Sequence, residues 1–426
     1  MPSLTWPSKS SPQPIPSGLK SESSLHPYPG YRDPDPGSRL VLGDNLRVMW
    51  ALLEEWEGEI DLIYADPPFF TNKGYPARVG RGEDSRQPQE WELAAGYQDN
   101  WEDLDHYLQM LYDRLSLMYR LLSPTGSLYL HLDWHANAYA RILLDEIFGY
   151  DRLNNEIVWT YHGPSPIRSA FNRKHDTILF YTKGEEYTFN VDQVRMPYSS
   201  STVETFNSSK KAGFGKTPNL KRGKVPEDWW YFPVVARLHS ERTGYPTQKP
   251  ESLLERIILA SSDPGDLVAD FFAGSGTTAV VAARLGRRFV AVDAQARAIQ
   301  TMKSRLVLDA GTEQEPEKQG APFSVLIQRE RGVKPQKYAA LADPDLPVYA
   351  PERRTLTLPE DLIGELDYWE VDPDWRGGVF QSCCQGARPW RKGEIPSRLT
   401  LPEVGQQIGV RLVMINGDQY QAVISP

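Results

Sequence analysis

The sequence predicts an α/β fold: a doubly wound, mostly parallel sheet with an inserted region and a small C-terminal β-rich domain. Between residues 39 and 308, strand-like apolar runs alternate with segments whose apolar residues recur at helical spacing, the pattern of a parallel sheet flanked by helices. Two of these runs end in an acidic residue followed by a turn, at Asp66 and Asp270. Beyond residue 353 the runs are short and alternating, which is typical of β-structure.

We divide the chain of 426 residues into six segments. The first, 1–37, is rich in proline and serine and has few large apolar residues, so we expect a disordered tail. The others are a first half of the α/β domain at 38–190, an inserted region at 191–245, a second half of that domain at 246–308, a linker at 309–352 and a β-rich domain at 353–426.

The elements follow from the spacing of apolar residues and from the turn residues between them. In the first half we predict strands at 39–42, 60–65, 127–132, 156–161 and 177–181, and helices at 46–55, 104–122 and 137–148. Residues 70–100 are polar and glycine-rich, which predicts a long mobile loop. In the second half we predict helices at 252–260 and 279–285 and strands at 267–269 and 288–292. One further strand is expected near 323–327.

Composition narrows the cellular setting and the type of partner. No apolar run reaches about 18 residues, so we expect no membrane span, and we find no signal peptide pattern. The only cysteines, Cys383 and Cys384, are adjacent, and this spacing suits neither a zinc site nor a disulfide framework. These features predict a protein of the reducing cytoplasm.

The net charge of −9 argues against a nucleic-acid partner, but the charge is unevenly distributed. Residues 205–226 contain no acidic residue. Because phosphate contacts depend on local basic charge, we predict DNA contacts in this stretch. The candidate residues are Lys210, Lys211, Lys216, Lys221, Arg222 and Lys224.

A glycine-rich string follows the strand at 267–269 and opens the next helix. Glycine permits a tight turn and close approach of a cofactor to the backbone. Asp293, at the end of the next strand, can accept hydrogen bonds from ribose hydroxyls. Taken alone, the string fits a nicotinamide or flavin site, a methyl-donor site or a structural turn. The carboxylate of Asp270 at the strand end suits the cationic amino group of methionine.

A second string, at residues 66–69, reads Asp-Pro-Pro-Phe and follows the strand at 60–65. An exocyclic amine on a base is a poor nucleophile, and acceptors for both of its N–H groups would make it more reactive. Asp66 and the carbonyl of Pro67 can serve as those acceptors, Pro68 stiffens the turn, and Phe69 can stack on the base. The base must leave the duplex to reach them. The alternative is a simple strand-ending turn.

Together the two strings resemble the β-class amino-methyltransferases that act on DNA, in which the Asp-Pro-Pro-aromatic string precedes the cofactor glycines. The resemblance covers about 39–308. It includes Gly43-Asp44-Asn45, the segment 172–181 and the segment 245–250, Tyr-Pro-Thr-Gln-Lys-Pro. It extends to Mod-type subunits of restriction-modification systems and to solitary methyltransferases. It implies a Rossmann-like S-adenosylmethionine-dependent methyltransferase fold, with 191–245 as the target-recognition region.

The resemblance also implies roles for individual residues. The catalytic residues would be Asp66, Pro67, Pro68 and Phe69. The S-adenosyl-L-methionine site would comprise Asp44, Asn45, Thr247, Gln248, Lys249, Asp270, Phe271, Phe272, Ala273, Gly274, Ser275, Gly276, Thr277, Thr278 and Asp293. Thr247, Gln248 and Lys249 would close over the methionine end of the cofactor. His131, Asp133 and His135 straddle a strand end, so we predict no metal site.

The expected activity is site-specific methylation of N6 of adenine in double-stranded DNA. Methylation of N4 of cytosine, methylation of RNA or of a protein amide, a nicotinamide-dependent oxidoreductase and a DNA-binding subunit without turnover stay open. A second copy of the chain and a restriction subunit are the protein partners that the resemblance allows.

Overall fold

The computed structural model describes residues 3–26, 37–80, 91–164, 167–208, 219–236, 239–310, 320–329, 338–341, 345–390 and 393–426. Side chains are described throughout these ranges except at 76–80 and 91–96. No helix in the described ranges is both long enough and apolar enough to cross a membrane.

Strands and helices alternate over most of the chain. The strands are β1 (Gly18–Leu25), β2 (Arg39–Leu42), β3 (Ile60–Ala65), β4 (Lys73–Gly80), β5 (Trp91–Asp99), β6 (Leu122–Leu132), β7 (Leu153–Thr160), β8 (His175–Thr182), β9 (Trp229–Tyr231), β10 (Leu267–Asp270), β11 (Arg288–Asp293), β12 (Phe323–Arg329), β13 (Ala339–Ala340), β14 (Val348–Ala350), β15 (Thr355–Thr357), β16 (Leu366–Asp372), β17 (Phe380–Ser382), β18 (Cys384–Ala387), β19 (Arg398–Thr400), β20 (Ile408–Met414) and β21 (Gln419–Ile424). The α-helices are α1 (Asn45–Trp56), α2 (Leu104–Leu121), α3 (Asn137–Phe148), α4 (Ser200–Ser208), α5 (Glu251–Ser261), α6 (Thr277–Arg284), α7 (Ala296–Asp309) and α8 (Glu360–Ile363).

The main sheet has the strand order β17-β1-β12-β2-β11-β10-β3-β6-β8-β7-β9. The run from β12 to β6 is parallel, and β8 is antiparallel to both of its neighbours. Helices α1, α2 and α3 pack on one face of the sheet, and α5, α6 and α7 pack on the other. Within β3, the successive side chains of Leu62 and Ile63 pack into the two hydrophobic cores on opposite faces of the sheet. The predicted doubly wound, mostly parallel sheet is therefore confirmed.

The N-terminal segment differs from the predicted disordered tail. Strand β1 pairs antiparallel with β12 and adds a strand to the main sheet. Upstream of it, Trp6 is buried against Tyr112, and Lys9 forms an ion pair with Glu146 at 2.6 Å. Composition missed this because a strand is stabilised by backbone hydrogen bonds to its neighbour, which small polar side chains permit.

Residues 70–100 also differ from the predicted mobile loop. They contain the antiparallel hairpin β4–β5, in which Lys73 pairs with Asp99. The rings of Tyr75 and Tyr97 stack at a centroid distance of 4.7 Å near its base. The pairing connects residues far apart in the segment, so local composition does not reveal it. The tip, 81–90, lies outside the described residues.

The C-terminal segment is β-rich, as predicted, and it packs directly on the α/β domain. Strand β12, within the predicted linker, lies inside the main sheet beside β2, and β17 pairs with β1 at its edge. Lys303 of α7 donates to Glu370 of β16 at 3.0 Å, and both side chains are buried. The remaining strands form one sheet in the order β13-β21-β20-β16-β18 and another in the order β14-β15-β19.

Candidate active site

The two predicted motifs meet at one edge of the main sheet. Strands β3, β10 and β11 are parallel neighbours, and Asp66, Asp270 and Asp293 lie at their carboxyl ends. In open α/β sheets this is the edge where ligands bind. A cleft of about 730 Å³ opens there. All four predicted catalytic residues line it, and so does every predicted cofactor residue except Gly276.

Among the described residues, one carboxylate oxygen of Asp66 has a hydrogen-bond donor and the other has none. Its Oδ2 accepts from the ammonium of Lys249 in a direct ion pair. Its Oδ1 is buried and has no hydrogen-bond partner among the described residues. Nδ1 of His131 is 3.9 Å from Oδ1, too far for a hydrogen bond. A buried acceptor without a donor is unfavourable, so Oδ1 is poised to accept an N–H from a ligand.

His131 lies behind Asp66 in a buried polar network. Its Nδ1 is 2.7 Å from the hydroxyl of Tyr64, and its Nε2 is 3.2 Å from Oδ2 of Asp176. Tyr161 donates to the other oxygen of Asp176 at 3.1 Å. Burial raises the pKa of Asp176, but the hydrogen bond and charge of His131 outweigh burial and the net pKa is lowered. The network therefore keeps Asp176 ionised at the cleft wall.

Phe69 forms an apolar wall beside the Asp66 carboxylate. Its ring centroid is 5.7 Å from the His131 ring, and Nζ of Lys249 lies 5.5 Å from it. The carbonyl of Pro68 accepts from the hydroxyl of Tyr107 at 2.9 Å. That bond commits the Pro68 carbonyl to the protein, so the Pro67 carbonyl is the backbone acceptor of this turn that suits a ligand.

Asp99 organises the backbone that follows Phe69, and the sequence analysis missed it. It is buried and accepts from the backbone N–H of Phe70 and Thr71 at 3.1 and 2.7 Å. It also accepts from Oγ1 of Thr71 and Nε1 of Trp101, both at 2.7 Å. Phe70 has a φ of 66°, a conformation that is uncommon outside glycine and needs such support. No motif surrounds Asp99, so only the fold reveals its role.

At the other end of the cleft the Asp270 carboxylate is buried and the Asp293 carboxylate is partly buried. Asp270 accepts from Oγ1 of Thr278 at 2.6 Å and from the N–H of Phe272 at 2.9 Å. Burial raises the pKa of Asp270 to about 7. Asp293 accepts from the N–H of Gly274 at 2.9 Å, and burial raises its pKa to about 6. A cationic ligand group placed nearby would favour the ionised form of both.

Glycine is needed at positions 274 and 276 of the turn for backbone conformation, and at 276 for packing as well. Gly274 and Gly276 have φ values of 51° and 76°, which side chains rarely adopt. A Cβ at position 276 would lie 2.2 Å from Cγ of Met302, a side chain of α7. Gly276 is therefore required for packing between the turn and α7. Gly276 does not line the cleft, and its predicted place in the cofactor site stays a prediction.

Other predicted cofactor residues have clear structural partners. Asn45 donates to the carbonyl of Phe271 at 2.8 Å and accepts from Nε of Arg114 at 2.6 Å, which ties the two halves of the domain together. Asp44 caps α1 by accepting from the N–H of Arg47 at 3.1 Å. Both residues still line the cleft.

Gln248 holds a turn in place. Its Oε1 accepts from the N–H and Oγ1 of Thr243 at 3.0 and 2.9 Å, and its Nε2 donates to the carbonyl of Glu241 at 2.7 Å. Thr247 beside it has a φ of 57°. The amide of Gln248 thus orients the segment that carries Lys249. The closure of Thr247, Gln248 and Lys249 over the methionine end of the cofactor stays a prediction, and all three residues line the cleft.

The predicted DNA-contacting residues are only partly described. Lys210, Lys211 and Lys216 lie outside the described residues. Lys221 is exposed. Arg222 donates to both oxygens of Asp192, at 3.1 and 2.7 Å, and Lys224 pairs with Glu227. These acids lie outside the stretch 205–226, so the local charge is less positive than the sequence alone implies.

Comparison with known proteins places the chain in a family. The sequence profile described as DNA methylase matches residues 60–304. The type II methyltransferase M.HpaI of Haemophilus parainfluenzae is 32% identical over 269 residues, which are 63% of this chain and 74% of that protein. The DNA adenine methyltransferase YhdJ of Escherichia coli (strain K12) is 32% identical over 273 residues, 63% of this chain and 82% of that protein.

Among solved structures, the complex of M1.HpyAVI with SAM aligns with a TM-score of 0.42 at 20% identity and covers 63% of this chain and 98% of that one. The profile match spans more than half of the 426 residues and includes both motifs. The chain therefore belongs to the DNA methylase family, whose members use S-adenosyl-L-methionine to methylate amino groups of DNA bases.

Proposed function

We propose that this protein transfers the methyl group of S-adenosyl-L-methionine to N6 of an adenine that is flipped out of double-stranded DNA at a defined sequence. The observation that carries this proposal is the buried Oδ1 of Asp66, an acceptor without a donor in a cleft that also holds the glycine turn. The similarity to the DNA adenine methyltransferase YhdJ supports adenine as the base.

Asp66 and Pro67 would act on the target amine. The lone pair of an exocyclic amine is delocalised into the ring. Hydrogen bonds from its two N–H groups to Oδ1 of Asp66 and to the Pro67 carbonyl would return electron density to the nitrogen. These acceptors lie in fixed positions and need no reorganisation during the reaction. Phe69 would hold the base by stacking, so the amine faces the methyl donor in one orientation.

The other end of the cleft suits the cofactor. The whole cleft has a volume of about 730 Å³, in the range of pockets that bind small molecules and cofactors. When bound, S-adenosylmethionine supplies an electrophilic methyl group on a sulfonium. Asp270 and the turn 271–275 would hold the methionine end, Asp293 would accept from ribose hydroxyls, and Asp44 would lie near the adenine ring of the cofactor. Lys249 would orient Asp66 from the same side.

The DNA substrate has further consequences for partners. Lys221 and the lysines at 210, 211 and 216 would contact phosphates, together with Arg222 and Lys224 once their acidic partners are displaced. A DNA substrate also agrees with a cytoplasmic protein. A second copy of the chain and a restriction subunit are proposed protein partners, which light scattering and co-purification from the native cell would test.

The proposal is tested by single-molecule sequencing of genomic DNA from cells that express the wild-type chain or Asp66→Ala. N6-methyladenine at one motif, present only with the wild-type chain, is the expected result. N4-methylcytosine would keep the mechanism but overturn the choice of base. DNA without new modification would contradict the proposal, and RNA from the same cells would then be tested.

A further inference from the structure

We propose that Phe171 is a wedge that enters the DNA stack and occupies the space left by the flipped base, an inference that rests on the proposed function. Phe171 lies in a loop that we call the wedge loop, residues 167–174. Its side chain is 98% exposed, the highest value among the large apolar side chains that the structure describes. So exposed a ring contributes almost nothing to the core and is available for contact with another molecule.

The residues on either side of the connection that carries the wedge loop, Tyr161 and His175, lie at the active-site edge of the sheet. Thr160 at the end of β7 pairs with His175 at the start of β8, and the N–H of Tyr161 donates to the carbonyl of Lys174 at 3.1 Å. Tyr161 and Asp176 both line the cleft. Phe171 lies five positions before Asp176, and an extended chain of five residues spans at most about 18 Å. Phe171 is therefore within reach of a duplex whose target base occupies the cleft.

The base of the wedge loop is anchored, so its tip is presented in a defined place. The guanidinium of Arg173 lies 4.2 Å from the ring centroid of Trp134, which follows the cleft residue Asp133. Nζ of Lys174 donates to the carbonyl of Pro164 at 2.9 Å. These contacts hold the residues on the C-terminal side of Phe171 against the edge of the cleft.

The charge around Phe171 suits a nucleic acid. The stretch 161–174 contains Arg168, Arg173, Lys174 and His162, and no acidic residue. A large, fully exposed apolar side chain among cationic ones is the composition of a wedge that enters a base step while its neighbours contact phosphates. Flipping leaves a gap beside the orphaned base, and an aromatic ring that fills this gap recovers stacking on both sides.

A matched set of variants and substrates tests the wedge. Methyl transfer is measured for the wild-type chain, Phe171→Ala, Phe171→Trp and Tyr150→Ala. Tyr150 is also exposed, at 60%, but lies before β7, at the opposite end of that strand from the cleft. One duplex carries the recognition motif found by sequencing, unmethylated and with the target base paired. A second is identical except for an abasic site opposite the target base, so the flip there breaks no base pair.

For Phe171→Ala we expect kcat/KM on the paired duplex to fall between about fivefold and a hundredfold, the range of one lost stacking contact. On the abasic duplex most of this loss should disappear, and Phe171→Trp and Tyr150→Ala should resemble the wild type on both. An equal loss on both duplexes, or no loss on either, would overturn the wedge. A wild-type chain that methylates neither duplex but binds S-adenosylmethionine would overturn the proposed function and the wedge with it.

Discussion

Lys249 and Asp66 form an ion pair across the cleft although 183 positions separate them in the chain. Asp66 ends β3 in the first half of the α/β domain, and Lys249 precedes α5 in the second. The pair occupies only Oδ2 of the carboxylate, and Oδ1 keeps its capacity to accept. One half of the domain thus orients the acceptor that the other half supplies.

This relationship predicts a defined effect of changing Lys249. Lys249→Met should lower kcat by about tenfold to a hundredfold, because a displacement of the Asp66 carboxylate near 1 Å is enough for a loss of that size. Lys249→Arg, which retains the charge, should lose less. The measurement is single-turnover methyl transfer, with Lys20→Met as the control for loss of an exposed lysine. Full kcat in Lys249→Met would show that Asp66 needs no such partner.

Cofactor affinity should depend on pH through Asp270 and Asp293. Their pKa values of about 7 and about 6 mean that both are largely neutral at pH 5.5 and ionised at pH 8. A cationic cofactor prefers the ionised carboxylates, so its Kd should tighten by about tenfold or more between these pH values. Calorimetry of S-adenosylmethionine binding tests this. Asp270→Asn should flatten the profile, and a flat profile in the wild type would contradict the prediction.

Without cofactor, the raised pKa values of Asp270 and Asp293 determine the direction in which the stability of the fold changes with pH. A carboxyl whose pKa is raised by folding favours the fold while it is protonated. The contribution of Asp270 and Asp293 is therefore full below about pH 4 and is lost as pH rises through 6 and 7. Added cofactor should raise the melting temperature more at pH 8 than at pH 5.5. An equal rise at both values would argue against cofactor contact with these residues.

Asp99 should be needed for both stability and turnover. Asp99→Ala leaves the buried N–H groups of Phe70 and Thr71 without their acceptor, at about 1 to 3 kcal/mol for each donor. Because this backbone follows Phe69, kcat should fall as well. Asp99→Asn keeps one acceptor oxygen and should show an intermediate loss. Denaturant unfolding and kcat are measured on all three proteins, and unchanged values in Asp99→Ala would refute the assigned role.

The C-terminal β-rich segment should contribute to the stability of the whole chain through Lys303 and Glu370. Lys303→Met leaves a buried carboxylate without its partner, so the free energy of unfolding should fall by about 3 to 5 kcal/mol. Adding Glu370→Gln should recover part of the loss. Arg376→Ala, which breaks an exposed ion pair with Asp374, is the control and should cost less than about 1 kcal/mol.

The Lys303–Glu370 pair changes the stability of the protein with pH in the opposite direction from Asp270. Burial raises the pKa of Glu370, but Lys303 and Arg411 outweigh burial and the net pKa is lowered from 4.5. The stabilisation is therefore present at neutral pH and is lost as pH falls below about 4.5. In the wild type, unfolding measured between pH 7 and pH 3 should show this loss, and Lys303→Met should show a smaller one because one of the two cations is gone.

Much of the active site could be predicted because its residues are local to strand ends. Asp66 and Asp270 each follow an apolar run that can only be an interior strand, and parallel strands bring their carboxyl ends to one edge. The periodicity of α2 and α3 is equally local, and both helices lie within a residue of their predicted bounds.

The remainder depends on pairing between distant residues, which local patterns do not reveal. Strand β1 is stabilised by β12 and β17 on either side of it, both about 300 positions or more further along the chain. Asp99 reaches Phe70 only because the hairpin β4–β5 folds back. Arg222 pairs with Asp192, which lies outside the basic stretch 205–226. The net charge of that stretch therefore overstates the positive potential that DNA would encounter.

The most direct test of the account compares cofactor binding with methyl transfer in Asp66→Ala. If Oδ1 of Asp66 accepts from the target amine, the variant should bind S-adenosylmethionine with the wild-type Kd. Its single-turnover rate on a duplex with the unmethylated recognition motif should fall by about 10²- to 10³-fold, as for loss of one preorganised hydrogen bond to a reacting group. Transfer at the wild-type rate, or loss of cofactor binding in parallel with transfer, would contradict the account.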